Sequence, residues 1–236
     1  MSRLNKFIIS EGINDKGIFK AVFMAGHPGA GKSYVLSKVQ SGSVEPRWVN
    51  TDKVFPLFKD WWDEYWPLIS SKVKTINKNQ LSGYINSMIP LAVDGTAGKV
   101  STVMRRKNIL ESFGYDTMMI FVNTSLETAL DRASRRERHV EPEHIRAVYA
   151  DVNKHKQYYR GKFDDFIEVD NNDGELTDKV ITNVFKHATK FYMEPVQNPI
   201  GREHIDTMTK NGWKYLDPNV IEMKQIQNRI SGWYKK

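Results

Sequence analysis

Apolar residues fall in short, evenly separated blocks along this chain, with amphipathic stretches between them. Phe19-Lys20-Ala21-Val22-Phe23-Met24-Ala25 is an apolar run of strand length that stops at Gly26, and helical spacing then takes over through Val35, Leu36 and Val39. Arg47-Trp48-Val49-Asn50, Ile89-Pro90-Leu91-Ala92-Val93-Asp94, Thr117–Val122 and Phe166–Asp170 read as four further strands. Between them the pattern predicts helices over about 53–89, 100–113, 124–135, 142–159 and 175–190. Pro56 and Pro67 interrupt the first of these, and Pro142 opens the fourth at a favourable position. Thr124 with Glu127 has the form of a capping box ahead of Leu126, Ala129, Leu130 and Ala133.

Strands alternating with helices imply right-handed crossovers and an α/β three-layer sandwich with a mostly parallel five-stranded sheet. The expected division is a helical lead-in over 1–18, a main domain over 19–190 and a C-terminal extension over 191–236. The extension reads as an irregular connection entering a short helix near 219–233, and the arginine-rich stretch between the fourth strand and the helix opened by Pro142 as the place of a helical lid. The aromatic residues from Phe55 to Trp66 read as core more readily than as a base-stacking platform.

Composition narrows the chemistry. With 236 residues, 40% of them hydrophobic, the chain is long enough for one cored domain. The sequence has no cysteine, which excludes disulfides, thiolate metal sites and cysteine nucleophiles. No apolar run reaches bilayer length, so a cytoplasmic location and no membrane partner are expected. The net charge is +7. Residues 98–162 carry 13 Lys/Arg against 8 Asp/Glu, a surplus suited to nucleotide phosphates or nucleic acid. His139, His144 and His155 have no spacing that compels a metal site.

The most specific local signal is Gly26-His27-Pro28-Gly29-Ala30-Gly31-Lys32-Ser33, a full Walker A pattern placed between a strand and a helix. Such a loop turns backbone N–H groups onto phosphate oxygens, with the helix N-terminus behind them. Lys32 reaches the β- and γ-phosphates, Ser33 joins a Mg²⁺ shell, and Tyr34 follows on the same turn; ATP and Mg²⁺ are the expected cofactors. A P-loop alone does not separate a kinase from an NTPase, so the residues at other strand ends matter.

Asp52, past the second strand, suits either a base facing the γ-phosphate or an N-cap. Asp94-Gly95-Thr96 ends the third strand, where Asp94 suits a water-mediated Mg²⁺ contact, an acceptor-site anchor or a plain turn. Arg132, Arg135, Arg136 and Arg138 cluster at one helix end, with Arg132 and Arg136 projecting from one side. A solvated basic helix end is the ordinary explanation for such a run. Its place before a Pro-started helix favours a lid.

Together these blocks, with Val49-Asn50-Thr51-Asp52, Leu91–Thr96, Asp131–Arg136 and Val140-Glu141-Pro142, resemble the zeta-toxin and polynucleotide-kinase group of P-loop kinases over about residues 19–170. Gly114-Tyr115 before the fourth strand fits the zeta-like pattern. The resemblance implies Asp52 as general base, Lys32, Arg132 and Arg136 around the transferred phosphoryl group, and Asp94 and Thr96 beside the acceptor. Lys53 and Arg105 complete the acceptor set expected on these lines. It also suggests a phage origin.

Two departures stand out. Polynucleotide kinases place an arginine shortly after the base, where this chain has Lys53-Val54-Phe55-Pro56, with Lys53 or Lys59 as substitutes. Zeta toxins have Glu where this chain has Asp94. The expected activity is transfer of the γ-phosphoryl of ATP to a hydroxyl of a nucleotide or nucleic acid, DNA favoured. The alternatives are a nucleotide-sugar kinase of the zeta type, and an ATP-binding assembly module.

Overall fold

The computed structural model describes residues 16–39, 44–135, 141–172, 177–210 and 223–234. Five strands form one sheet: β1 (Lys20–Ala25), β2 (Arg47–Val49), β3 (Leu91–Asp94), β4 (Asp116–Asn123) and β5 (Asp165–Asp170). Their order is β2-β3-β1-β4-β5, and every pairing is parallel. All five carboxyl ends therefore open onto one edge, with β1 in the middle.

Among the described residues the helices are α1 (Lys32–Val39), α2 (Trp62–Asn86), α3 (Val100–Glu111), α4 (Leu126–Ser134), α5 (Pro142–Arg160), α6 (Asp178–Met193), α7 (Pro199–Lys210) and α8 (Met223–Arg229). Short 3₁₀ segments cover Thr51–Lys53, Phe55–Trp61 and Ile230–Tyr234. The three central strands, β1, β3 and β4, are buried on both faces, as a covered parallel sheet requires, and their side chains alternate between two cores. Ala21, Phe23, Ala25, Leu91, Val93, Met119 and Phe121 enter one core with Leu81 and Ile85 of α2, Leu110 of α3, and Val152 and Tyr159 of α5. Val22, Met24, Ala92, Met118, Ile120 and Val122 enter the other with Val35 and Leu36 of α1 and Val184, Ala188 and Phe191 of α6.

Several expectations are revised. Part of the connection after residue 191 is helical, Pro199–Lys210, and its Gly201 packs so closely on Gly114 that a Cβ there would lie 2.3 Å from the Gly114 carbonyl. Ile226, Ile230 and Trp233 of the extension enter the first core. A buried ion pair fastens the segment before α7: Lys20 Nζ meets Asp116 at 2.7 Å, and Asp116 also accepts from the backbone N–H groups of Gln197 and Asn198.

The cap of α4 is Ser125, whose side chain accepts from Thr128 N. Thr124 is instead buried, donating to Asn172 Oδ1 at 2.9 Å, because it sits where β4 meets the turn after β5. As expected, the stretch is interrupted near Pro67: Tyr65, at φ −123°, is non-helical, and two helical pieces of α2 meet there at a kink. Of the aromatic stretch, Phe55 and Phe58 pack on a small cluster of Val54, Ile69 and Val73, while Tyr65 is exposed. The side chains of Trp61, Trp62 and Trp66 lie outside the described residues, as does most of the 1–18 lead-in.

Candidate functional site

The loop between β1 and α1 is held from three sides. Gly26 has φ +144° and Gly29 φ +83°, and both positions leave no room for a side chain. A Cβ on Gly26 would lie 2.4 Å from Val122 O, and one on Gly29 would lie 2.3 Å from Ala129 O in α4. Gly26 N donates to Thr96 O at 3.3 Å, tying the loop to the turn after β3. From the β5 side, Asn171 Nδ2 donates to Ala30 O at 2.7 Å.

His27 is fully buried beneath the loop, with Nε2 3.2 Å from Thr124 O, Nδ1 3.1 Å from Pro28 O, and its ring 4.8 Å from that of Tyr149. Burial lowers its pKa below the ordinary 6.5; the two carbonyls oppose this and the Lys32 charge adds to it. Lys32 Nζ donates to Gly26 O at 2.8 Å and to His27 O at 3.2 Å, so its ammonium spans the loop mouth. Ser33 and Tyr34 stand exposed on the first turn of α1. Arg132, half-buried on α4, brings Nη1 within 3.7 Å of where a Gly31 Cβ would stand.

On the other side of β1, Asp94 ends β3 in register with Met24, two residues before the loop. Its Oδ2 accepts from Asn50 Nδ2 at 2.8 Å, linking the ends of β2 and β3. Asp52 lies two residues beyond Asn50 in the 3₁₀ turn Thr51–Lys53; its side chain is outside the described residues. Lys53 rests 3.7 Å above the Trp48 ring, and its pKa is lowered by burial, against the opposing pull of Asp94 and Glu45.

Thr96 is exposed. The turn it belongs to is pinned by α5, because Tyr159 donates to Ala97 O at 2.7 Å and His155 Nδ1 lies 3.1 Å from Gly98 O.

Arg105 lies beside Gly232, its Cδ 3.5 Å from a Cβ built there. It is the neighbouring Arg106 whose Nη1 comes within 3.8 Å of a Cβ on Gly95. Arg106 Nε donates to Trp233 O at 3.3 Å. Burial lowers the Arg106 pKa, with Tyr234 and Asp94 opposing and Arg105 reinforcing the shift.

The structure thus brings Lys32, Arg132, Asp94, Lys53 and Thr96 to one edge, with the backbone of Asp52 beside them. Arg136 falls outside the described residues, and Arg135 is engaged with Asp131 in an exposed ion pair at 2.7 Å. Asn171 and Arg106 escaped the sequence reading. Asn171 follows a strand at the carboxyl edge, the one signal that could have flagged it; Arg106 has only a basic pair on a helix.

A glycine cradle before a helix, a lysine across its mouth, a carboxylate one strand away and an arginine over the loop make this a P-loop phosphotransferase. The model of the zeta toxin family matches residues 13–194. The chain belongs to the zeta toxin family.

Among solved structures, it is similar to a protein provisionally assigned as a kinase from Chloroflexus aurantiacus J-10-fl, with TM-score 0.54 and 12% identity over 75% of this chain and 100% of that one. It is also similar to M. mycoides deoxyadenosine kinase with bound dCTP (TM-score 0.46, 15% identity, 72% and 98% covered). A third is Acinetobacter baumannii shikimate kinase in complex with shikimate (TM-score 0.43, 14% identity, 74% and 93% covered). At 12% identity the likeness to the first of these shows the fold alone. A search of curated proteins finds no match to the sequence. No described helix is long and apolar enough to cross a membrane.

Proposed function

We infer that this kinase transfers the γ-phosphoryl group of ATP to a hydroxyl of a nucleotide or nucleic acid, residues 19–190 forming the catalytic unit. The observation that carries this reading is the pairing of a donor loop (Lys32, with Arg132 above Gly31) and an acceptor-side carboxylate (Asp94, held by Asn50) on neighbouring strand ends.

The residues present fit ATP. The positive φ of Gly29 and Gly31 and the absence of space for a Cβ leave a compact backbone cradle of the kind phosphates occupy. Ser33 and Asp94 would hold Mg²⁺, which supplies charge neutralisation between the phosphates.

In this reading Asp52 takes the proton from the acceptor hydroxyl as its oxygen attacks the γ-phosphorus and the bond to the β-phosphate oxygen breaks. Lys32, Arg132 and Arg136 balance the charge that spreads over the transferred group. Lys53 and Thr96 border the acceptor, with Arg106, which reaches Gly95, in the place expected of Arg105.

Membership of the zeta toxin family favours a second reading, in which the acceptor is a nucleotide-sugar. The roles of Asp52 and Arg132 are tested together. Asp52→Asn and Arg132→Ala should each keep ATP affinity within about threefold while slowing transfer by about 10²-fold or more, the usual scale for a general base or a charge-stabilising group. Near-normal transfer in Asp52→Asn would remove it as the base, and equal loss of binding and turnover in Arg132→Ala would make it a ground-state contact.

A further inference from the structure

A cleft of about 500 Å³ lies between α2 and the C-terminal 3₁₀ turn, lined by Ser70, Ser71, Lys74, Thr75, Lys78 and Tyr234. Among the described residues, none of those lining it is acidic. Lys74 and Lys78 are four apart on one helix, so they lie on one face about 6 Å apart along the axis. That interval is comparable to the spacing of successive phosphates on an extended strand. Ser70 and Ser71 add hydroxyl groups along the same face, where Thr75 donates back to the Ser71 carbonyl, and Tyr234 supplies an aromatic wall whose hydroxyl is anchored on Asn77.

The cleft is joined to the phosphoryl-transfer edge by a chain of contacts. The Tyr234 ring lies 6.0 Å from the Arg106 guanidinium carbon, and Arg106 in turn abuts Gly95, next to Asp94. Arg106 is also held by the carbonyl of Trp233, whose side chain is locked in the main core. Arg106 thus stands between Tyr234 of the cleft and Asp94. Paired cations, hydroxyls and one aromatic ring in a groove are the elements that hold single-stranded nucleic acid without reading its sequence.

We propose that this cleft binds the backbone of a single-stranded nucleic acid that serves as the acceptor. It takes successive phosphates on Lys74 and Lys78 and a base against Tyr234. The identification of the strand as the acceptor rests on the kinase reading; its binding does not.

The test uses the full chain and a 12-nucleotide oligodeoxynucleotide with a free 5′-hydroxyl and a 3′ fluorescein, followed by anisotropy across a potassium chloride series. Each phosphate contact on a single strand contributes about 0.7 to the slope of log K against log salt, so Lys74→Gln/Lys78→Gln should flatten the slope by about 1.4 and weaken binding at low salt. Glutamine is a good helix former, so α2 should stay folded, and unchanged affinity for a fluorescent ATP analogue checks this. The same slope and affinity in the variant would overturn the proposal. So would displacement of the oligonucleotide by a nucleotide-sugar at equal phosphate concentration, which would give the cleft to the smaller ligand. A slope difference with no phosphoryl transfer from ATP to the oligonucleotide would support the cleft and overturn the strand as acceptor alone.

Discussion

Gly29→Ala probes the contact between the donor loop and the helix that carries Arg132. At φ +83° an alanine pays the left-handed penalty of about 1–2 kcal/mol. Its Cβ would also lie 2.3 Å from Ala129 O, 2.9 Å from Ala129 Cα and 3.0 Å from Ala129 C. These are backbone atoms of α4 and cannot rotate away, so overpacking adds about 1–3 kcal/mol. The sum, about 2–5 kcal/mol, corresponds to a fall in Tm of roughly 4–20 °C for a domain of this size. Gly83 is the internal control: it sits within α2 and a Cβ there meets nothing within 4 Å, so Gly83→Ala should be neutral or stabilise by up to about 1 kcal/mol. Thermal unfolding by circular dichroism, alone and with ATP–Mg²⁺, reads both effects. Gly29→Ala should fall in Tm and lose most of the ATP-dependent increment, because relief of the clash must move the loop or α4. A variant within 2 °C of the parent that keeps its ATP increment would refute the close packing of loop on helix.

Two further outcomes follow from the loop's supports. Asn171→Ala removes the buried donor to Ala30 O, which should cost about 1–3 kcal/mol in unfolding free energy and weaken ATP binding; Asn171→Asp, facing a carbonyl with a carboxylate, should be worse. Equal denaturant midpoints for all three proteins would contradict this. His27 titrates below 6.5 in the folded chain, so the unfolded chain takes up more protons as pH falls through 6.5. Stability should therefore fall on acidification from that point until the folded pKa is reached. The difference in Tm between the parent and His27→Gln, followed from pH 8 to 5, should show this loss, and a flat difference would exclude it.

Much of the fold was legible because a buried parallel sheet writes itself as short apolar blocks, and each block is punctuated by the residue its turn requires. Gly26 and Gly114 mark such points, both at positive φ. The parts that escaped are set by contacts distant in sequence. Thr124 has a capping spacing, yet it is drawn into bonds with Asn171 and Asn172, and Ser125 caps instead. The helix at Pro199–Lys210 was hidden by flanking proline and glycine, although Pro199 opens it and Gly201 serves a close approach to Gly114.

At the site, the Walker A residues carried their own signal, and Asp94 was found from its place at a strand end. Arg106 and Asn171 were not, since their roles depend on Trp233 and Ala30, 127 and 141 residues away.

The most direct measurement is incubation of the protein with γ-labelled ATP and Mg²⁺ against separate pools of DNA, RNA, nucleosides and nucleotide-sugars. Lys32→Ala serves as the inactive control. Label should enter a nucleic-acid or nucleoside pool with the parent protein and no pool with the variant. Label in the nucleotide-sugar pool alone would contradict the proposed acceptor, and release of inorganic phosphate with no labelled acceptor would contradict the transfer itself.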